Sequence, residues 1–401
     1  MASFINKNYK RVGENSIFYE INQRVTRFLE KHHNDEIISL GVGDVTRPYS
    51  KALVKILTDA IKRQEKSATF LGYPPEDGYL FLRSAIKNYY KNFNVNFHES
   101  EIFVSNGISC DIANILDIFD NYTPLIIEPT YPAYKTTNLF LGKKPFIICA
   151  TEQNDYKVLP NNIPQKQYLI YLCSPNNPTG FTYALRDLKL WVDFALKTKS
   201  VILFDSAYEF FIEGDYPHSI FEVPNAKNCA IEFASFSKMA GFTNLRCGYT
   251  IIPKSLKRDG VFLLNCFLKR QTTCFNGVPY FVQKGAEYVL SKNGITEQKQ
   301  NTRYYKQNVK IIAQYMKKLN FEYIFSKNSP YLWLKCQNGK TSWEFFDELL
   351  LCCKVVCVPG IAFGDCGEGY VRLSGFNSHA KTLKACQRIF DYYNEKSTTK
   401  S

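Results

Sequence analysis

Five short runs dominate the middle of this chain: residues 102–105, 124–128, 168–173, 201–205 and 230–235. Each is four to six residues long and apolar almost throughout. A strand with one wet face alternates apolar and polar residues, so an unbroken apolar run of this length reads as a strand buried on both faces. Helical patterns separate the runs, for example at 110–119 and 185–197. That alternation predicts an α/β fold, with a mainly parallel central sheet covered by helices on both sides. The large domain is expected over 46–290. After residue 291 the texture changes. A long polar helical pattern (296–319) precedes strands at 331–336, 355–358 and 370–374, and a helix at 380–393. This predicts a smaller α+β domain over 291–401, joined by an N-terminal arm, 1–45, with a helix at 16–30.

At 401 residues the chain exceeds one ordinary core, so two domains are the default. A content of 45 % hydrophobic and 22 % charged residues is globular. No stretch reaches the roughly 18–20 uninterrupted apolar residues of a membrane helix. Residues 1–11 lack the apolar core of a secretion signal. The thirteen cysteines are scattered, with no metal-binding spacing, which predicts reduced thiols, a cytoplasmic location and no metal site. The net charge of +13 comes from basic residues spread along the chain, without a basic–aromatic array. It therefore reads as a Lys-rich surface that favours anionic ligands, with no nucleic-acid partner and no membrane partner.

The chemistry-bearing residues fall where the predicted strands end. Ser174-Pro175-Asn176-Asn177-Pro178-Thr179-Gly180 follows the run 168–173. Asp205 and then Tyr208 follow 201–205, Ser235-Phe236-Ser237-Lys238 ends 230–235, and Ser105-Asn106-Gly107-Ile108-Ser109 ends 102–105. Ligands of open α/β sheets bind at the carboxyl ends of strands, so four polar clusters are expected on one sheet edge. Lys238, at a strand end between hydroxyls, is a candidate reactive amine. Asp205 is either a carboxylate aimed into the cleft or a helix N-cap. Arg372 lies inside an apolar strand, which is costly unless it is paired, either with a ligand carboxylate or with a buried Asp or Glu.

These motifs, with Arg246, resemble fold-type I, class I/II aminotransferases. Eight segments in sequence order resemble the LL-diaminopimelate aminotransferases. They are LGVGDVTRP (40–48), FLGYPPEDGYLFLR (70–83), SPNNPTG (174–180), FDSAYEFFI (204–212), SFSKMAGFTNLRCGYT (235–250), FNGVPYFVQ (275–283), YLWLK (331–335) and PGIAFGDCGEGYVRLSGFNS (359–378). The resemblance implies pyridoxal 5′-phosphate (PLP) as cofactor, bonded to Lys238, with amino-acid and 2-oxo-acid substrates and a role in lysine biosynthesis. It implies that Asp205 partners the pyridine nitrogen, and that Asn177 and Tyr208 hold the ring's phenolic oxygen. Tyr131 would stack on the ring. Ser235, Ser237 and Arg246 would bind the phosphate with the backbone at Gly107, Ile108 and Ser109. Arg372 would bind the substrate α-carboxylate and Gly43 would contact substrate through its backbone. A homodimer with shared active sites is implied, in which Tyr73, Glu76 and Asn276 reach across from the neighbouring subunit. Tyr131, Asn177 and Asn276 would also touch substrate.

The departures from the family pattern gather on substrate specificity. Ser109 stands where a lysine helps hold the distal carboxylate of diaminopimelate, and Ile108 where a serine binds phosphate. Ser16 replaces a substrate-contacting tyrosine, Cys274 replaces a lysine and Pro74 a glycine. Lys51, Lys135 and Arg47 are candidates to replace the missing cation. The expected reaction is thus aminotransfer from LL-diaminopimelate to 2-oxoglutarate, giving tetrahydrodipicolinate and glutamate, with room for another donor such as lysine or an aromatic amino acid. A different PLP reaction on the same fold and a non-catalytic PLP-fold module remain open readings.

Overall fold

A computed structural model describes residues 4–12, 17–41 and 43–398 of the chain. The strands, in chain order, are β1 (Ile38–Ser39), β2 (Ile102–Ser105), β3 (Pro124–Glu128), β4 (Phe146–Cys149), β5 (Leu169–Cys173), β6 (Val201–Asp205), β7 (Ala230–Ser235) and β8 (Gly248–Ile251). A two-residue hairpin, β9 (Lys257–Arg258) and β10 (Val261–Phe262), precedes β11 (Tyr323–Phe325), β12 (Tyr331–Lys335), β13 (Val355–Val356), β14 (Val358–Pro359) and β15 (Tyr370–Ser374).

Seven strands form the main sheet in the order β2-β8-β7-β6-β5-β3-β4. β7, β6, β5, β3 and β4 run parallel, and β8 is antiparallel to both β2 and β7. Every residue of β5 and β6 is buried, as their unbroken apolar sequences require. Two apolar cores flank the sheet. One contains Ile170, Leu172, Trp191 and Phe204, the other Phe103, Ile126, Tyr171 and Phe233. Alternate residues of each strand thus serve opposite faces.

A second, antiparallel sheet has the order β11-β12-β15-β14. The N-terminal arm lies beside it: β1 and β13 form a separate two-stranded parallel ladder, and Ser374 N–H at the end of β15 donates to the Leu40 carbonyl at 2.6 Å. The helix Lys292–Lys318 packs against this sheet and against the C-terminal helix His379–Thr398.

Four elements differ from the sequence expectation. β8 (GYTI) and the edge strand β4 (FIIC) carry apolar runs that the sequence reading passed over, because neither is followed by a polar cluster. The segment 355–358 is split, with Val355–Val356 pairing with the arm and Val358–Pro359 with β15. The helix expected over 110–119 spans Ile108–Asn114 and tightens into a 3-10 turn at Ile115–Ile118.

The C-terminal helix is fastened by Glu348, on the helix Ser342–Cys353. Its carboxylate accepts from Lys340 at 2.7 Å, Lys396 at 2.7 Å, Tyr393 at 2.6 Å and Tyr392 at 3.0 Å. Burial by itself would raise the Glu348 pKa, but these hydrogen bonds outweigh it and hold the group down to about 2, from an ordinary 4.5. A folded-state pKa below the unfolded one gives stability that is full above the unfolded value and lost as pH falls through the folded one. Glu348→Gln is expected to lower the melting temperature at pH 7 by roughly 2–4 °C. It should also flatten the acid limb of the stability curve between pH 4.5 and 2. Thermal melts across that pH range check it, and an acid limb parallel to the wild type would refute the assignment.

Candidate active site

β5, β6 and β7 end side by side, and the turns that follow them enclose one side of a cavity of about 330 Å³. The helix start at 108–109, Tyr131, the arm at Gly43 and Asp44, and Arg372 of β15 complete the wall. Gly43, Ile108, Ser109, Tyr131, Asn177, Asp205, Tyr208, Ser235, Ser237, Lys238, Arg246 and Arg372 all line this one cavity.

At the floor, the Asp205 carboxylate is 4 % exposed. It accepts from Tyr134 OH at 2.5 Å and from the Ala207 N–H at 2.9 Å. Burial raises its pKa, and the two hydrogen bonds work against that rise. Among the described residues no cation pairs with it. A buried anion with two neutral donors and no counter-charge fits a protonated ring nitrogen. The bond from Ala207 N–H is a local turn bond, and the next helix begins at Glu209 with Tyr208 as its N-cap, so Asp205 is not a helix N-cap. Tyr134 escaped the sequence reading, although its place three residues after Tyr131, one helical turn on, was a usable signal.

Lys238 lies in the short helix Phe236–Ala240 that follows β7. Burial lowers its pKa to about 8. Asp44 opposes that shift, and Arg372 and Arg246 reinforce it. Its Nζ donates to the Gly43 carbonyl. An amine with a depressed pKa keeps a larger neutral fraction at physiological pH, which both carbonyl attack and proton abstraction need. Gly43 packs closely here, since a Cβ there would stand 3.2 Å from Tyr331 OH and 3.4 Å from Arg372 Nη2.

An anion-binding corner lies where β7 and β2 end. Ser235, Ser237 and Arg246 border it, and Ile108 and Ser109 present N–H groups that open a helix and have no acceptor within it. Gly107 is behind this corner, at φ +111°, with its Cα side against the guanidinium of Arg246. Ser109 Oγ hydrogen-bonds Tyr131 OH at 2.8 Å.

Opposite, Arg372 is 3 % exposed. Nη1 donates to Asn177 Oδ1 at 2.8 Å and Nη2 to the Gly41 carbonyl at 2.9 Å, while Nε has no partner. The guanidinium lies 4.1 Å from the Tyr331 ring centroid and 5.0 Å from that of Phe363. Tyr208 OH and Tyr331 OH are 2.7 Å apart. Among the described residues no Asp or Glu pairs with Arg372, so the alternative of a structural ion pair falls. What remains is a buried guanidinium fixed by neutral groups, which suits a planar carboxylate ligand.

Tyr73, Glu76 and Asn276 are not in the lining. Tyr73 is 88 % exposed, and the two segments touch where Gly277 meets Pro74 and Pro75. Of the candidate replacement cations, Lys135 bridges Glu128 and Asp365, and Arg47 lies over the Tyr304 ring. Lys51 opens the helix Lys51–Lys62. None of the three lines the cavity, whose cations are Lys238, Arg246 and Arg372. Ser16 lies outside the described residues. Phe18, Pro132 and Phe363 line the cavity and were not singled out from sequence, because an aromatic or proline in an apolar context carries no chemical signal.

A Cβ at position 107 would come within 2.6 Å of Arg246 Nη2, at a φ that L side chains rarely adopt. Gly107→Ala is therefore expected to displace Arg246 and weaken PLP binding by about ten- to a hundred-fold, the worth of one charge-assisted hydrogen bond. Equilibrium titration of apo-protein with PLP checks this, with a melt to confirm folding. Unchanged affinity in a folded variant would refute the anion corner.

The family described as "Aminotransferase class I and II" matches residues 35–389. An LL-diaminopimelate aminotransferase of Prochlorococcus marinus subsp. pastoris is 42 % identical, covering 96 % of this chain and 99 % of the relative. The enzyme of the same name from Lawsonia intracellularis is 43 % identical, covering 96 % and 98 %. The solved L,L-diaminopimelate aminotransferase from Chlamydomonas reinhardtii superposes with a TM-score of 0.92 at 33 % identity, covering 98 % and 99 %. The aromatic aminotransferase of Pyrococcus horikoshii, at 23 % identity and a TM-score of 0.81 over 93 % and 99 %, shares the fold. With the family match spanning residues 35–389 and relatives 42–43 % identical over nearly the whole chain, the chain belongs to the class I and II aminotransferases, a PLP-dependent family of enzymes.

Proposed function

We propose that this aminotransferase takes LL-diaminopimelate as amino donor and 2-oxoglutarate as acceptor, a step of lysine biosynthesis, in the cytoplasm. The observation that carries the reading is Arg372, a buried guanidinium with an unpartnered Nε that lines the same cavity as Lys238. Relatives at 42–43 % identity over nearly the whole chain support the choice of donor. The large domain is assigned to 46–290, and the small domain to 1–45 with 291–401.

When bound, PLP supplies the carbonyl that accepts the amino group and a ring that delocalises the electron pair left at the donor's Cα. The chain's residues do the rest. Arg372 grips the α-carboxylate through two parallel N–H bonds and fixes the Cα–H bond relative to Lys238. Lys238 Nζ removes the Cα proton and returns one to the acceptor's Cα in the reverse half-reaction. Asp205 holds the proton on the cofactor's ring nitrogen, and the Tyr134 hydrogen bond opposes the rise that burial gives that carboxylate's pKa. Asn177 couples the two ends, since its Oδ1 already steadies Arg372.

Tyr73, Glu76 and Asn276 are assigned to the active site of a neighbouring copy. The support is their absence from their own cavity's lining, the exposure of Tyr73 and Asn276, and the prevalence of two-fold homodimers.

One observation favours a second reading, in which the donor is a different amino acid. Beyond Arg372 the cavity offers Phe18, Ile108, Pro132 and Phe363, with Ser109 tied to Tyr131. Among the described residues, a second carboxylate finds no cation in the cavity besides Lys238, Arg246 and Arg372.

Single amino acids added to PLP-loaded protein, with the cofactor's absorbance followed, should convert the band fastest for LL-diaminopimelate and glutamate. If lysine or an aromatic donor is faster, the second reading replaces the first; if none converts it, aminotransfer itself fails. Arg372→Lys should raise the donor KM by about ten- to a hundred-fold with little loss of PLP affinity. Ser109→Lys should speed diaminopimelate relative to a neutral donor. No change in that ratio would remove position 109 from specificity.

A further inference from the structure

Cys149 and Cys366 form a disulfide across 217 residues of sequence, with Cα atoms 5.6 Å apart. This corrects the expectation that all thirteen cysteines are thiols; the other eleven are. The scatter that suggested thiols says nothing about which two sulfurs the fold brings together.

The position of the pair matters. Cys149 is exposed at the end of β4, the edge strand of the main sheet. Cys366 lies in the loop 360–369, which runs from β14 to β15. That loop carries Phe363, which lines the cavity, lies against the Arg372 guanidinium and meets the Trp333 ring edge-on at 5.7 Å. The disulfide therefore ties the sheet edge to the segment that forms one wall of the carboxylate pocket.

The remaining ties at this seam are non-covalent. The Phe363 carbonyl accepts from Thr130 N–H at 2.9 Å. Lys135 bridges buried Glu128 at 3.2 Å and Asp365 at 3.3 Å, and the Asp365 side chain is 85 % exposed. Gly364, at φ +111°, presses on the Glu128 carboxylate, where a Cβ would come within 2.3 Å. The exposed Lys135–Asp365 pair contributes little, and the Cys366 N–H reaches buried Glu128 only at 3.5 Å, so the disulfide is the covalent restraint at the outer end of the loop.

We propose that Cys149–Cys366 is a reversible thiol-exchange site whose reduction loosens the Phe363 wall and weakens capture of the amino-acid substrate. The reductant is a dithiol. Its thiolate attacks the exposed sulfur of Cys149, the Cys149–Cys366 bond breaks, and a mixed disulfide forms with Cys366 leaving as thiolate. The second thiol of the reductant then displaces Cys149. Two electrons and two protons pass to the protein, which gains two thiols, and the dithiol becomes a disulfide. The kinetic consequence rests on Arg372 as the carboxylate site; the structural consequence does not.

The test uses PLP-loaded protein prepared without reductant, with and without dithiothreitol. Alkylation and peptide mapping should find a linked 149–366 peptide that dithiothreitol releases. Hydrogen exchange at 360–369 should rise on reduction, and the donor KM should rise roughly five-fold or more, a modest coupling, with the saturated half-reaction rate and PLP affinity unchanged. Cys149→Ser and Cys366→Ser should match the reduced enzyme and ignore dithiothreitol. Faster exchange at 360–369 with an unmoved KM would keep the loop tie and remove Arg372 as its target, which overturns the proposal. So would free thiols at both positions in unreduced protein, or exchange at 360–369 that is the same in both states.

Discussion

Two opposite charges are buried in one cavity of this protein without pairing with each other or with another ionised side chain. Asp205 is held by a phenol and a backbone N–H, and Arg372 by an amide and a backbone carbonyl. Burying either ion costs several kcal/mol by ordinary estimates. Partners of opposite charge at both positions would relieve that cost, and the fold supplies none. The arrangement leaves both groups open to ligands of opposite charge, as the proposed binding of a cationic ring nitrogen and a substrate carboxylate requires. Lys238 lines the same cavity, its amine made less basic by burial and by two guanidinium groups.

The sheet makes this possible. β5, β6 and β7 are parallel neighbours, so Asn177, Asp205 and Lys238 arrive at one edge from three consecutive strands. Hydrophobic burial on both faces fixes the strands and hence the spacing of these groups. β8 runs antiparallel between β7 and β2, which sets Gly248 beside Ser235 and Ser105. A Cβ at Gly248 would lie 2.8 Å from the Ala234 carbonyl and 3.0 Å from Gly107. The anion corner thus depends on two glycines that let backbones approach.

The second sheet contributes through a longer route. Arg372 reaches the cavity because β15 is central in its sheet and because the arm crosses its end, with Gly41 accepting from the guanidinium. Gly43 and Asp44 enter the cavity by the same crossing. Residues about 330 positions apart in sequence, Gly41 and Arg372, are therefore direct partners.

The α/β alternation, the strands whose both faces are apolar, and the polar clusters placed at their ends are all legible in the amino-acid order. Those features are local: burial sets the pattern of each strand, and the residue after it is at the ligand edge whatever lies beyond. That order also carried the resemblance that names the cofactor and the roles of Lys238, Asp205 and Arg372. Only the tertiary structure decided the rest, because contacts between distant segments leave no local pattern. It paired Tyr134 with Asp205, drew Phe18 and Phe363 into the cavity, and kept Lys135 and Arg47 out of it. It also removed any carboxylate partner for Arg372 and joined Cys149 to Cys366. Each of these depends on which side chains the packed elements bring within a few ångströms, and that is fixed by the three-dimensional closure of the chain.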